Sequence, residues 1–150
     1  MTEEKRQKAC YVRMPELRML EHSCIFIYQA LGNQPYLVGS CLERPNFHDV
    51  DVRVIFDDEK FERFFGKFPG TGESSAFWSL LCTSITVYLC KQTGLPIDFQ
   101  IQKRSKVKES DWDKERFPLG LFITNQKYAP PWTVKPEKLS KRKNNDKEPG

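Results

Sequence analysis

The chain has 150 residues, the length of one ordinary domain, and its 39% hydrophobic and 13% aromatic content suffices for a core without covalent staples. The formal net charge of +4 is biased by a Lys-rich C-terminal stretch. No run approaches the roughly 20 apolar residues of a membrane-spanning helix, and five scattered cysteines without a CxxC pair, with two histidines off ligand spacing, argue against structural zinc.

In chain order, MTEEKRQKAC is charged and lacks the apolar segment of a secretion signal, so a reducing, cytoplasmic setting is expected. From Pro15 to Leu31, apolar residues at Leu17, Leu20, Cys24, Ile27, Tyr28 and Leu31 recur in steps of three and four. That spacing predicts an amphipathic helix, with Pro15 in its first turn and Gly32-Asn33 as its stop. PYLVGS reads as a short buried strand entering a glycine turn, and CLERPNFH as a loop of turn formers. In DVDVRVIF, Val50, Val52, Val54 and Phe56 alternate with Asp49, Asp51, Arg53 and Ile55. A period of two sends the valines to one face of a strand and both aspartates to the other.

Asp57-Asp58 open a helix over EKFERFFGKF, and the glycine-rich PGTGESS leads to a second long helix from about Ser75 to Thr93. FWSLLCTSITVYLC is apolar nearly all round, which predicts deep burial in the core. LPIDFQIQK is a further alternating strand, with Asp98, Gln100 and Gln102 opposite Ile97, Phe99 and Ile101. The charged stretch from Arg104 to Asp113 is expected to be loop or short helix, and RFPLGLFITN and PPWTV a wrapping segment. The Lys-rich end is too polar to order itself. The expected organisation is therefore a single mixed α/β or α+β domain over 1–134, helices covering a small sheet of three or more strands, followed by a flexible basic tail over 135–150.

The chemistry-bearing residues are the acids. Asp49 and Asp51 project from one strand face about 7 Å apart, and such like charges repel unless a cation lies between them. Mg2+ prefers carboxylate oxygens and keeps positions for water and phosphates. A third carboxylate, Asp98, on a neighbouring strand would complete a two-metal site. The plain alternative is the solvent-facing side of an amphipathic strand. Gly39-Ser40, closing the strand before the acids, adds a place where backbone comes close to a phosphate and a hydroxyl donor stands ready.

Val38-Gly39-Ser40, then Asp49-Val50-Asp51-Val52, then Ile97-Asp98-Phe99, occur in the order of the motifs of polymerase-β-like nucleotidyltransferases, and the chain resembles that superfamily. The LVGSCLERPNFHDVDVRVIFDDEKF run is similar to small stand-alone members of actinobacteria and their phages. The resemblance covers roughly residues 14 to 125, with a compact connection of eight residues between Ser40 and Asp49. It implies a nucleotidyltransferase that moves a nucleoside monophosphate from an NTP, ATP foremost, to a hydroxyl, with pyrophosphate leaving. In that scheme Gly39 and Ser40 hold the triphosphate, Asp49 and Asp51 bind Mg2+ or Mn2+, and Asp98 helps the acceptor lose its proton. The acceptor would be a protein, a small molecule or an RNA end, met through the segments after Arg104, a homodimer partner or another protein. The alternative is a module that keeps the fold and binds nucleotide or protein without turnover.

Arg44 and Arg53 lie near these acids in sequence and are candidates for phosphate binding, an ion pair with an aspartate being the competing role for Arg53. His48 and Phe47 are read as structural, and Cys41 lacks the His and Asp partners of a nucleophile. The basic run Lys103, Arg104, Lys106 and Lys108 would guide an anion, or simply be solvated.

Overall fold

In the computed structural model, which describes residues 10–67, 75–107 and 116–121, the alternating acidic segment forms the centre of the fold. Numbered in chain order, the elements are α1 (Glu16–Leu31), β1 (Pro35–Val38), α2 (Ser40–Glu43), β2 (Val50–Phe56), α3 (Asp58–Phe65), α4 (Ala76–Thr93), β3 (Ile97–Lys103), a 3-10 turn (Arg104–Lys106) and β4 (Phe117–Pro118). The strands make one mixed sheet in the order β3-β2-β1-β4. β2 pairs antiparallel with β1 and parallel with β3, and β1 pairs antiparallel with β4. A parallel β2–β3 pair needs a long crossover, which carries α3 and α4. Among the described residues the class is mixed α+β, four helices flanking a four-stranded sheet.

The period of two does what it predicts. Val50, Val52, Val54 and Phe56 are fully buried, and the intervening Asp51, Arg53 and Ile55 are half-buried on the opposite face. Leu37, Phe99 and Ile101 extend the same apolar layer across β1 and β3, and Leu20, Cys24 and Ile27 of α1 join that core. Gly32 ends α1, its N–H returning to Tyr28 O at 2.8 Å.

Helix α4 departs from expectation. Only Cys82, Leu89 and Thr93 of it are buried, and Leu80 is 67% exposed, with Phe77 and Val87 also open. The reason is position. β3 is an edge strand, and α4 runs along its outward backbone groups instead of sinking beneath the sheet. Trp78 Nε1 donates to Ile101 O (2.8 Å), the Cys82 sulfur accepts from Ile101 N (3.5 Å), Thr86 Oγ1 accepts from Phe99 N (3.2 Å), and the Cys90 thiol donates to Ile97 O (3.7 Å). These four residues recur every fourth position, one ridge of a helix. The Trp, Cys and Thr side chains of this ridge therefore satisfy a sheet edge that would otherwise be open to another chain.

Two smaller differences concern loops. The CLERPNFH connection begins with one helical turn, α2, whose Leu42 N–H returns to Gly39 O at 3.1 Å. RFPLGLF supplies a two-residue edge strand, with Leu119 N donating to Pro35 O at 2.9 Å and Leu119 fully buried. Gly120 then crosses α1 so closely that a Cβ would lie 2.6 Å from the Cys24 carbonyl, and its φ of 71° excludes most side chains as well. Residues 68–74 of the glycine-rich loop, Lys108 and the charged stretch to 115, the chain from 122 on with PPWTV, and the basic tail all lie outside the described residues. No described helix is long and apolar enough to cross a membrane.

Candidate active site

The acidic face is assembled by two ladders. In the parallel β2–β3 pair Asp51 is registered with Asp98 and Val50 with Ile97, so the two carboxylates leave the same face of adjacent strands. Neighbouring strands lie about 4.8 Å apart, which sets the spacing of the pair. In the antiparallel β1–β2 pair Val38 is registered with Asp51, and the chain turns at the next residue.

That residue is Gly39, with φ 82° and ψ −154°. A Cβ at Gly39 would sit 2.5 Å from Asp51 Oδ2. The glycine is required twice over: the left-handed φ disfavours any side chain, and the Asp51 carboxylate occupies the space one would need. Sequence reasoning assigned Gly39 to phosphate approach and missed its contact with Asp51, which only strand register reveals. Ser40 follows as the half-buried first residue of α2.

Arg53 joins the two acids. Its Nη2 lies 3.1 Å from Asp98 Oδ2 and 3.7 Å from Asp51 Oδ1, and its Nη1 donates to Asp98 O (2.6 Å) and Val52 O (3.1 Å). The side chain is 14% exposed, against 46% for Asp98. One face of the guanidinium fork is therefore held by backbone carbonyls while the other bridges the carboxylates. Burial raises the Asp51 carboxyl above its ordinary value of 3.8; Arg53 opposes that shift, and the charges of Asp98 and Asp49 reinforce it.

Asp49 stands apart. It precedes the first paired residue of β2 and is exposed, near enough for its charge to act on Asp51. Among the described residues no group of three or more His, Cys, Asp or Glu side chains is gathered to hold a metal ion. The site therefore has a close pair, Asp51 and Asp98, plus an outlying acid. The donor set itself, hard carboxylate oxygens with one glycine-lined approach, matches what a small divalent cation takes in preference to softer ligands.

The remaining sequence candidates fall as follows. Arg44 is exposed just after α2, and His48 is exposed in the connection to β2. Phe47 packs against the core. Cys41 is buried beside the acids; burial first, then the Asp51 charge, push its thiol up to about 11, so it stays protonated and inert. Of the basic run, Lys103 pairs with Glu62 at 3.0 Å, whereas Arg104 reaches a separate cleft.

Comparison with protein-family models, with curated proteins and with solved structures yields no match.

Proposed function

We propose that the protein is a metal-dependent nucleotidyltransferase that moves a nucleoside monophosphate from an NTP to a hydroxyl acceptor. The observation that carries this reading is the registration of Asp51 with Asp98 on one sheet face, with Gly39 in contact with the Asp51 carboxylate. It rests on three sequence-distant segments meeting at one point, which alternation within a single strand would not require.

Asp51 and Asp98, with Asp49 at the edge, would hold Mg2+ or Mn2+. When bound, such an ion neutralises triphosphate oxygens and lowers the pKa of an attacking hydroxyl. The chain's own residues do the positioning. Gly39 lets the backbone pass directly beside the Asp51 carboxylate, and the Ser40 hydroxyl next to it would offer a phosphate a donor. Asp98, the more exposed of the pair, is the carboxylate able to accept the acceptor's proton at Oδ1 or Oδ2. Arg53 holds both carboxylates in place from the side opposite solvent. Preset charge of this kind contributes most of the rate in phosphoryl chemistry. ATP is the first nucleotide to try, and protein, small-molecule and RNA acceptors belong in the same screen; a cytoplasmic setting is part of the reading.

A second reading is favoured by one specific feature, the Arg53 bridge. A guanidinium across two carboxylates can stand in for a cation, and a module that binds without turnover would be stable in that state.

The discriminating experiment incubates the protein with Mg2+ or Mn2+ and each α-labelled NTP, alone and with host lysate. Label transfer that falls at least about 100-fold in Asp51→Asn and in Asp98→Asn supports catalysis. Metal-dependent nucleotide binding without transfer supports the module, and failure to bind metal or nucleotide at all overturns both.

A further inference from the structure

We propose that the outward side of α4, with α1 beside it, is a surface on which a second copy of this chain docks, α4 antiparallel to α4. Among the described residues, large apolar side chains are left exposed in one region of the molecule. Phe77, Leu80 and Val87 lie on α4, and Met19 and Phe26 on α1. Met14 precedes α1, and Leu121 follows the crossing of α1 by Gly120. Helix α3 and the four strands leave no such group exposed. Because α1 and α4 pack against each other, the exposed groups join into one patch. Apolar residues scattered singly over a surface mean nothing, but a concentrated patch marks a place of contact.

The spacing on α4 says what kind of body fits. The exposed residues Phe77, Leu80, Ser84 and Val87 are separated by three, four and three positions, the seam by which one helix seats in another. That seam lies on the side of α4 away from the ridge that caps β3. Lys91 is the one charged residue among the 18 of α4, so no ion pair competes along the seam. The Ser84 hydroxyl already donates to Leu80 O at 2.7 Å and enters an apolar contact with its bond made. Phe77 is braced from behind by Phe65, with 5.6 Å between ring centroids.

The stripe also complements itself. When a second α4 is turned about a two-fold axis level with Cys82, Leu80 meets Ser84 of the second copy and Phe77 meets its Val87. Each contact sets the bulkier side chain against the smaller one, and a two-fold axis makes every contact twice. Charge selects the antiparallel sense. It places the two Lys91 ammoniums about 27 Å apart, well beyond the screening length of about 8 Å, whereas a parallel pair would set them side by side. Antiparallel helix dipoles attract as well. Area explains the part of α1. A face about 27 Å by 10 Å on α4 alone falls short of the roughly 800 Å² that each partner of a standard interface buries. The 16-residue α1, with Met19 and Phe26 exposed, about doubles it.

The test reads the mass of the full chain by sedimentation equilibrium over a concentration series. The protein should pass from monomer to dimer between about 1 µM and 1 mM. Leu80→Lys and Val87→Lys should each raise the dissociation constant at least about 30-fold, since each strands a charge in the seam. Both positions are exposed in a single copy, so melting at low concentration should be unchanged in either variant. On the unaltered protein, dilution should shift the amides of α4 from Phe77 to Val87 and those of α1 around Met19 and Phe26. A monomer at about 1 mM would overturn the proposal and leave the patch to another occupant, the chain after Leu121 or a different protein. A dimer that both lysine variants leave intact, or dilution shifts centred on other elements, would overturn it too. None of these residues belongs to the pair of Asp51 and Asp98, so the outcome is independent of nucleotide transfer.

Discussion

The two ends of β2 each meet a charged cluster, and the clusters are built on opposite terms. At the Phe56 end Lys60 is 6% exposed; its ammonium donates to Leu31 O and Asn33 Oδ1 and lies 4.4 Å from the Phe56 ring centroid. The carbonyl it meets is at the C-terminus of α1, where the helix dipole favours a cation. Burial draws the Lys60 pKa down, and Asp57 partly restores it. At the other end Arg53 serves two carboxylates, with Asp49 beyond, so negative charge is in excess and partly open to solvent. The first cluster is matched donor to acceptor and closes the structure. The second is left unbalanced, and its Asp51 is held above its ordinary pKa. An acidic pair whose charge its own arginine does not balance is what the proposed function asks of its carboxylates.

Four substitutions break or sharpen that contrast. Lys60→Met strands Leu31 O and Asn33 Oδ1 without a donor, and should cost about 2–4 kcal/mol in chemical denaturation. If it costs nothing, the first cluster is not structural. Gly39→Ala sets a methyl group 2.5 Å from Asp51 Oδ2 at a left-handed φ. It should lower stability by about 1–3 kcal/mol and reduce label transfer at least as much as Asp51→Asn does.

Asp51→Asn is expected to act the other way on stability. The folded protein holds a proton on Asp51 at pH values where the unfolded chain, with its ordinary value of 3.8, has released it. Wild-type stability therefore declines as pH rises from 3.8 through the higher folded pKa. The Asn variant should melt higher at pH 7, and the advantage should vanish below 3.8. Saturating Mg2+ should raise the melting temperature of the wild type and leave the variant's where it was. A variant that melts lower at pH 7 would place Asp51 among the structural groups. The smallest effect belongs to Lys103→Ala, which removes a partly exposed pair with Glu62 at the end of β3. A change of about 0–1 kcal/mol, shrinking with salt, is expected in melts run at two ionic strengths.

Much of this was legible in the residues. Alternation in DVDVRVIF located β2 and its buried face, the three- and four-residue steps located α1, and Asp57 is the cap of α3 by its bond from Lys60 N. Apolar content misled for α4, because hydrophobicity reports that a helix has partners without saying whether they are side chains below it or the backbone of a strand beside it. The ridge of Trp78, Cys82, Thr86 and Cys90 answers that question, and it becomes visible only once β3 is known to be an edge.

By itself the sequence determined which residues are acidic, which strand face Asp51 and Asp98 occupy, and where α1 and α4 begin and end, because periodicity and capping are local properties of the backbone. The tertiary structure alone decided that Asp98 stands beside Asp51, that Gly39 touches its carboxylate, that Asp49 is left outside the pair and that Arg53 spans it. Those facts depend on register between strands distant in the chain. Register is set by how the buried valines and phenylalanines of the other face interdigitate, and no short stretch of sequence encodes it.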